Sequence, residues 1–169
     1  MADTAEFDDF VVMRSAALLR TAYLLVHDEG LAEDLLQTAL AKAWFSWRRI
    51  DGEPEAYVRR VLVTTHISSR RRRWRGEIPT DPLPDGPRGA RSDLALDRHD
   101  LWGALAHLSA GQRAVVVLRY FEDLTEAATA EVMGCSIGTV KSQGAKALAK
   151  LRIDETLHGY AEETADHEL

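Results

Sequence analysis

The 169-residue chain has one cysteine, Cys135. A lone thiol excludes an internal disulfide framework and a cysteine-based zinc site, and it accords with a reducing compartment. Long apolar runs are missing as well. The longest cover only a few residues, such as Val115 to Leu118, so no segment is expected to insert in a membrane. The start, Met1-Ala2-Asp3-Thr4-Ala5-Glu6, has neither the basic region nor the apolar stretch of a secretory leader, which points to a cytoplasmic protein. There is no Gly-rich phosphate loop and no nucleophile–base constellation. The histidines 27, 66, 99, 107, 158 and 167 are scattered. His99 and His107 are eight residues apart on one expected helix, too far to ligate one metal without other donors. No enzymatic activity, metal or other cofactor is therefore expected. Positive charge looks scarce too: 21 Lys+Arg stand against 27 Asp+Glu, a net charge of -6. That total argues against nucleic acid only until the charges are placed.

Between Arg59 and Arg75 lie seven arginines (59, 60, 70, 71, 72, 73 and 75) and no acid. Between Ile137 and Arg152 lie Lys141, Lys146, Lys150 and Arg152, again without an acid. These islands hold +11 together, so the rest of the chain carries -17. Segregated sign matters more than the total, and two basic islands in an acidic body suggest two anion contacts. A solvated charged surface is the plainer alternative for either island taken alone.

Proline is confined as well. Four of the five prolines, with three glycines, fall between Gly76 and Asp93. This stretch has no helical or strand period and reads as a flexible linker. Its 18 residues reach up to about 60 Å at roughly 3.3 Å each. The flanking pieces each have helical periodicity, while 46% hydrophobic and 28% charged residues suit a folded chain. The expected fold is all-α. It has an N-terminal helix bundle over 1–75, a linker over 76–93, a four-helix domain over 94–152 and an acidic tail over 153–169.

In the first domain, Phe7, Val11, Leu18, Ala22 and Leu25 form a stripe that ends at the turn His27-Asp28-Glu29-Gly30. Leu31, Leu35, Ala39, Ala43 and Trp47 then recur every four residues, widened by Leu36, Leu40 and Trp44. After a break at Ile50–Glu53, Pro54 suits a first helical position. A third helix follows through Tyr57, Val58, Val61 and Leu62 into the arginine run. In the second domain, helices are expected over 94–107, 111–121, 125–133 and 136–151.

The last two of those helices have helix-turn-helix spacing. Thr125 can cap the first, Ala130 is small at a close crossing, and Gly134 suits a left-handed turn. Cys135 fills a small apolar slot. Ser136 can cap the second helix, which Ile137 and Val140 would pin to the core. Its outer face offers Ser136, Thr139, Lys141, Ser142, Gln143, Lys146 and Lys150. Hydroxyl, amide and ammonium groups on one helix suit a major groove, lysines on phosphates and Gln143 at a base edge.

The whole chain resembles the extracytoplasmic-function (ECF) group of the sigma-70 family, the promoter-specificity subunits of bacterial RNA polymerase. Ala32-Glu-Asp-Leu-Leu-Gln-Thr-Ala-Leu-Ala-Lys-Ala-Trp resembles region 2.2. Tyr57-Val-Arg-Arg-Val-Leu-Val-Thr-Thr-His-Ile-Ser-Ser-Arg-Arg-Arg-Arg-Trp-Arg is similar to regions 2.3 and 2.4. Leu108-Ser-Ala-Gly-Gln-Arg-Ala-Val-Val-Val-Leu-Arg-Tyr-Phe-Glu-Asp-Leu-Thr-Glu-Ala resembles region 4.1, and Gly138-Thr-Val-Lys-Ser-Gln-Gly-Ala-Lys-Ala-Leu-Ala-Lys-Leu-Arg resembles region 4.2. Four blocks in family order, split by a linker, are specific.

The resemblance implies an alternative sigma factor that binds core RNA polymerase and directs promoter recognition and transcription initiation. Asp34, Leu35, Gln37, Thr38 and Lys42 match the helix that docks on the clamp helices of the largest subunit; the second domain would meet the flap of the second-largest. Trp47, Arg48, Arg49, Tyr57, Arg59, Arg60, Thr64, His66, Arg70, Arg71 and Arg73 match the part that opens and reads the -10 element of promoter DNA. Opening needs aromatic surfaces for an unstacked base and arginines for phosphates; Trp44 and Trp47 suit the core of the bundle equally well. Arg70 to Arg73 cannot share one helix face and read as phosphate contacts. Residues 136–150 match the -35 reader. An anti-sigma factor is an expected partner, since members of this group are typically held inactive by one. Thr64 stands where many members carry asparagine, which bears on the -10 bases read. Ser109 stands where proline is common, which bears on how a helix begins. The alternative class is a free-standing helix-turn-helix regulator, for which an arginine run in the other domain has no use. The acidic tail reads as a solvated chain end or as a segment folded back on the basic helix 141–152.

Overall fold

The computed structural model describes residues 2–74 and 103–165, with side chains placed over 4–70, at Arg72 and over 103–152. The expected linker and the first nine residues of the helix expected over 94–107 lie outside them. Among the described residues the secondary structure is helical throughout, without a strand.

Helix α1 (Ala2–Val26) buries Leu18, Ala22 and Leu25 and packs Phe7, Phe10 and Val11 at the edge of the same core. It stops because His27 turns to φ 53°. The break is shorter than the four turn-forming residues suggest. Asp28 adopts extended φ/ψ and its Oδ1 accepts from Leu31 N at 2.8 Å, so Glu29 and Gly30 already belong to α2 (Glu29–Ser46). An N-cap carboxylate satisfies one of the orphan amides of a first turn. Helix α2 buries Ala32, Leu35, Leu36, Ala39, Leu40 and Ala43. Its four-residue repeat ends one step early, because Trp47–Arg49 tighten into a 3₁₀ turn. The loop to α3 (Pro54–Trp74) turns at Gly52, whose φ of +92° suits only glycine. Pro54 opens α3 as anticipated, and Val58, Leu62 and Val63 close the bundle.

In the second half, residues 103–106 are helical. Helix α4 (Ala110–Val116) begins with a reciprocal capping box. Ser109 Oγ accepts from Gln112 N at 3.3 Å, and Gln112 Oε1 accepts from Ser109 N at 3.2 Å. Serine therefore starts this helix by side-chain capping, where a proline would start it by a fixed φ. The apolar run 115–118 is helical but not uniformly α: Val117–Phe121 widen into one π turn. Helix α5 (Glu126–Met133) is capped by Thr125 Oγ1, which accepts from Ala128 N at 3.1 Å, and closed by Gly134 at φ 65°, ψ 37°. Ser136 Oγ then accepts from Thr139 N at 3.1 Å to start α6 (Ile137–Ala165). Ala130, Val115 and Val140 meet in a small core at the α5–α6 crossing, with Cys135 packed beside them. Val140 thus pins α6 as expected. Ile137 does not: it is 45% exposed, because as the first helical residue it falls on the outer side of the turn. The backbone of α6 continues unbroken to Ala165, so the acidic segment to that point extends the helix instead of folding back on 141–152.

The two halves are not apart. Ala114, Val117 and Leu118 are fully buried in the same core as Leu18, Leu25, Leu36, Val58 and Leu62. The sequence suggested tethered domains; the described halves pack against each other.

Candidate nucleic-acid interface

The first basic island is carried by α3 and the turn before it. Arg48, Arg49, Arg60, Arg70 and Arg72 have exposed side chains, spread from the turn before α3 to its far end. The side chains of Arg71 and Arg73 lie outside the described residues. Arg59 differs from the exposed arginines. Its Nη2 pairs with Glu55 at 3.1 Å and its Nε with Glu122 at 3.1 Å, leaving the side chain mostly covered. Tyr57 is half-buried against the core. Thr64 is half-buried, and its Oγ1 donates to Arg60 O at 2.8 Å within its own helix. His66 is only 4% exposed. It forms part of the lining of a groove between α2 and α3, with Asp34, Leu35, Thr38, Ser69 and Arg70. It is therefore covered by the bundle, in a groove that the exposed Arg70 also lines.

Trp44 and Trp47, which suit either the core or a stacking surface by residue type, make ring contacts with α1. Trp47 stacks edge-on to Phe7, with centroids 5.0 Å apart, and lies 5.2 Å from Phe10. Trp44 meets Phe7 at 5.1 Å. Both tryptophans brace α1 against the end of α2, Trp47 half-buried and Trp44 still 41% exposed. The open ring nearby is Phe45, 79% exposed, which the sequence reading passed over. Its signal was spacing: 45 lies three helical turns after Asp34.

On α2, Asp34, Gln37, Thr38 and Lys42 are exposed and share one side. Lys42 Nζ donates to Thr65 Oγ1 at 3.2 Å, tying the stripe to α3. Leu35 is buried and contributes to the floor of the stripe instead of its surface.

The second island lies on α6. Ser136, Thr139, Lys141, Ser142, Lys146 and Lys150 are exposed; Gln143 is half-buried, and its amide lies close to Gly111 on α4. Thr139, Ser142 and Lys146 form the open stripe, spaced three and four residues apart. Lys141 approaches Glu126 at 3.8 Å, and Lys150 donates to Gln112 Oε1 at 2.8 Å. The first contact is loose and exposed, a geometry worth little to stability and easily exchanged for a phosphate.

Two residues that link the halves were also missed. Arg113 is 3% exposed, and Glu122 bridges Thr21 and Arg59. Burial, then the like charge of Arg70, pushes the Arg113 guanidinium below its ordinary range. A buried arginine does not register in hydrophobic periodicity, and neither contact is local in sequence.

The sigma-70 region 2 family matches residues 11–76, and the sigma-70, region 4 family matches residues 98–151. The RNA polymerase sigma-E factor of Streptomyces coelicolor is 42% identical over 154 residues, which is 90% of this chain and 87% of that one. The ECF RNA polymerase sigma factor SigL of Mycobacterium tuberculosis is 31% identical over 146 residues, 82% of each chain. Among solved structures, the sigma factor RpoE of Bartonella quintana, in complex with the anti-sigma factor NepR, aligns with a TM-score of 0.69 at 27% identity. That alignment covers 89% of this chain and 97% of RpoE. No described helix is long and apolar enough to cross a membrane. Four motifs in order, two helical units and relatives matched along most of their length lead to one assignment: the chain belongs to the sigma-70 family, as an ECF-type sigma factor acting in transcription initiation.

Proposed function

We propose that this sigma factor is non-catalytic, acts in the cytoplasm and divides its work between residues 1–75 and 94–152, joined by 76–93. The exposed stripe Asp34, Gln37, Thr38 and Lys42 docks on the clamp helices of core RNA polymerase, with Leu35 supporting it from beneath. The exposed arginines Arg48, Arg49, Arg60 and Arg70 take the phosphates of the opened -10 element, with Arg71 and Arg73 on the same helix. Thr64 and Tyr57 lie beside that strip, where a base would be read. The open stripe Thr139, Ser142 and Lys146, flanked by Ser136, Lys141, Gln143 and Lys150, enters the major groove of the -35 element. An anti-sigma factor, as bound to the Bartonella relative, is the natural inhibitor.

The observation that carries this reading is the pair of exposed basic faces on separate units of the chain, one on α3 and one on α6. A duplex reader needs one such face; a protein that grips two promoter elements needs two. Run-off transcription with core polymerase and this chain tests it. Promoter-specific transcripts are the expected result. Tight, sequence-specific duplex binding by the chain alone, with no transcripts, would instead establish the free-standing regulator.

A further inference from the structure

The outer side of α1 has a pattern that the promoter-binding reading does not use. Leu18, Ala22 and Leu25 set the inner side of this helix against the core. At 3.6 residues per turn, Asp9, Met13, Ala16 and Arg20 fall on one stripe on the opposite side. All four are exposed. Val12, beside Met13, widens the apolar middle of the stripe; Val12 is 83% exposed and Met13 73%. A single exposed apolar side chain is ordinary. Here two large ones are adjacent, with a carboxylate at one end of the stripe and a guanidinium at the other. Among the described residues neither Asp9 nor Arg20 has an ion-pair partner in its own chain.

The spacing identifies what fits. Positions 9, 13, 16 and 20 are separated by four, three and four residues, the seam spacing of a coiled coil. Along the helix the seam reads acid, large, small, base. An antiparallel second copy reverses that order, so Asp9 meets Arg20 of the second copy and Met13 meets its Ala16. Each pairing then occurs twice about a two-fold axis, the isologous arrangement of a symmetric dimer. Large faces small in both apolar layers, and opposite charges close both ends. A parallel copy would set acid against acid and base against base, so the charges also select the direction. The surrounding bundle already holds α1 in shape, so association carries no cost of forming the helix.

We propose that the outer stripe of α1 is a self-association surface whose occupant is a second, antiparallel copy of this chain. None of the residues assigned to polymerase or promoter contact lies on it. Three turns of helix bury less than the roughly 1,200 Å² of a stable interface, so the dimer belongs to the weak, reversible class and its population follows concentration. The proposal stands apart from the promoter-binding reading and is measured without polymerase or DNA.

Sedimentation velocity of the full chain from about 1 to 300 μM, the range of a weak interface, tests it. The wild type is expected to pass from monomer towards dimer as concentration rises. Met13→Glu puts a carboxylate in the apolar middle of both copies and is expected to weaken dimerisation at least about tenfold. Asp9→Arg and Arg20→Glu each turn two attractive pairs into repulsive ones and are expected to weaken it roughly tenfold as well. The double variant, Asp9→Arg with Arg20→Glu, recreates both pairs with their signs exchanged and is expected to return to within about threefold of the wild type. Both positions are exposed and lie inside the end turns of α1, so neither core packing nor the charge at a helix terminus changes; circular dichroism checks that helical content is kept. A wild type that stays monomeric throughout, a dimer unmoved by Met13→Glu, or a double variant no better than the single ones overturns the proposal.

Discussion

Replacing Arg113 by methionine is the sharpest test of how the halves are joined. Methionine keeps most of the side-chain volume, so the apolar packing of α4 is retained and the change isolates the guanidinium. Three carbonyls lose a charged donor: Leu105, Ala106 and Leu25. A hydrogen bond to a charged group contributes about 1.5–3 kcal/mol, and a buried acceptor left unpaired costs about 1–3 kcal/mol. Against this stands the relief of desolvating a buried cation, whose burial already depresses its proton affinity. With one carbonyl rehydrated, the net loss is about 3–4 kcal/mol. For a chain of this length about 2–4 °C is lost per kcal/mol, so Tm is expected to fall by roughly 6–15 °C. Salt should change the effect little, because the site is screened from solvent. Arg113→Lys should recover only part of it, since a single ammonium cannot span three carbonyls. Differential scanning calorimetry of wild type and both variants decides the matter. A Tm change below about 2 °C for the methionine variant, or full recovery by lysine, would refute the three-carbonyl role.

Three further outcomes are expected. Gly134→Ala should cost about 1 kcal/mol in urea titrations: the site is at φ +65° with nothing within 4 Å of an added Cβ, so only left-handed strain is charged. Lys146→Ala should weaken -35 duplex binding evenly across sequences and lower the slope of log affinity against log salt by about 1, whereas Ser142→Ala should leave that slope unchanged. Asp34→Arg should weaken core polymerase capture at least about tenfold in fluorescence titration, since reversing a charge at a polar docking stripe adds repulsion to the lost contact; equal affinity for both proteins would remove α2 from the docking surface.

Much of the fold was legible because it is written in short-range chemistry. The Thr125 and Ser136 caps, the Gly134 turn and the small Ala130 crossing lie within about a dozen residues of one another, and each has a local physical cause. The same holds for Pro54 at the start of α3. Boundaries drifted where two local signals competed. Asp28 capped α2 before Gly30 could act as a breaker. At Trp47 the aromatic contact with Phe7 drew the ring inward while the backbone tightened into a 3₁₀ turn. Site residues were harder. Residue type identified the arginines and the lysine stripe, yet could not show how fully Arg59 is covered beside exposed Arg60, because Glu122, the second of its two partners, is more than sixty positions away. His66 and Leu35 are more covered than residue type suggests for a related reason: helical periodicity assigns a side to each residue but not how deeply the neighbouring helix covers it.

The net charge of -6 takes its meaning from that same distant pairing. Had the acids been spread evenly, they would screen both basic islands alike and weaken every DNA contact. Instead Glu55 and Glu122 converge on Arg59, while Arg60 and Arg70 stay exposed on the same helix. Among the described residues, these two acidic side chains act locally, at Arg59, where α3 meets the second half. On α6 the counter-charge is weaker: Glu126 reaches Lys141 at 3.8 Å with both groups largely exposed. Such a pair dissolves readily in favour of phosphate. The two islands should consequently differ in salt response, the α6 face being available at all ionic strengths and the Arg59 site opening as salt or a competing polyanion weakens its carboxylates. On the proposed reading of the two faces, the α6 lysines are expected to meet DNA at lower salt cost than Arg59, whose carboxylates must first be displaced.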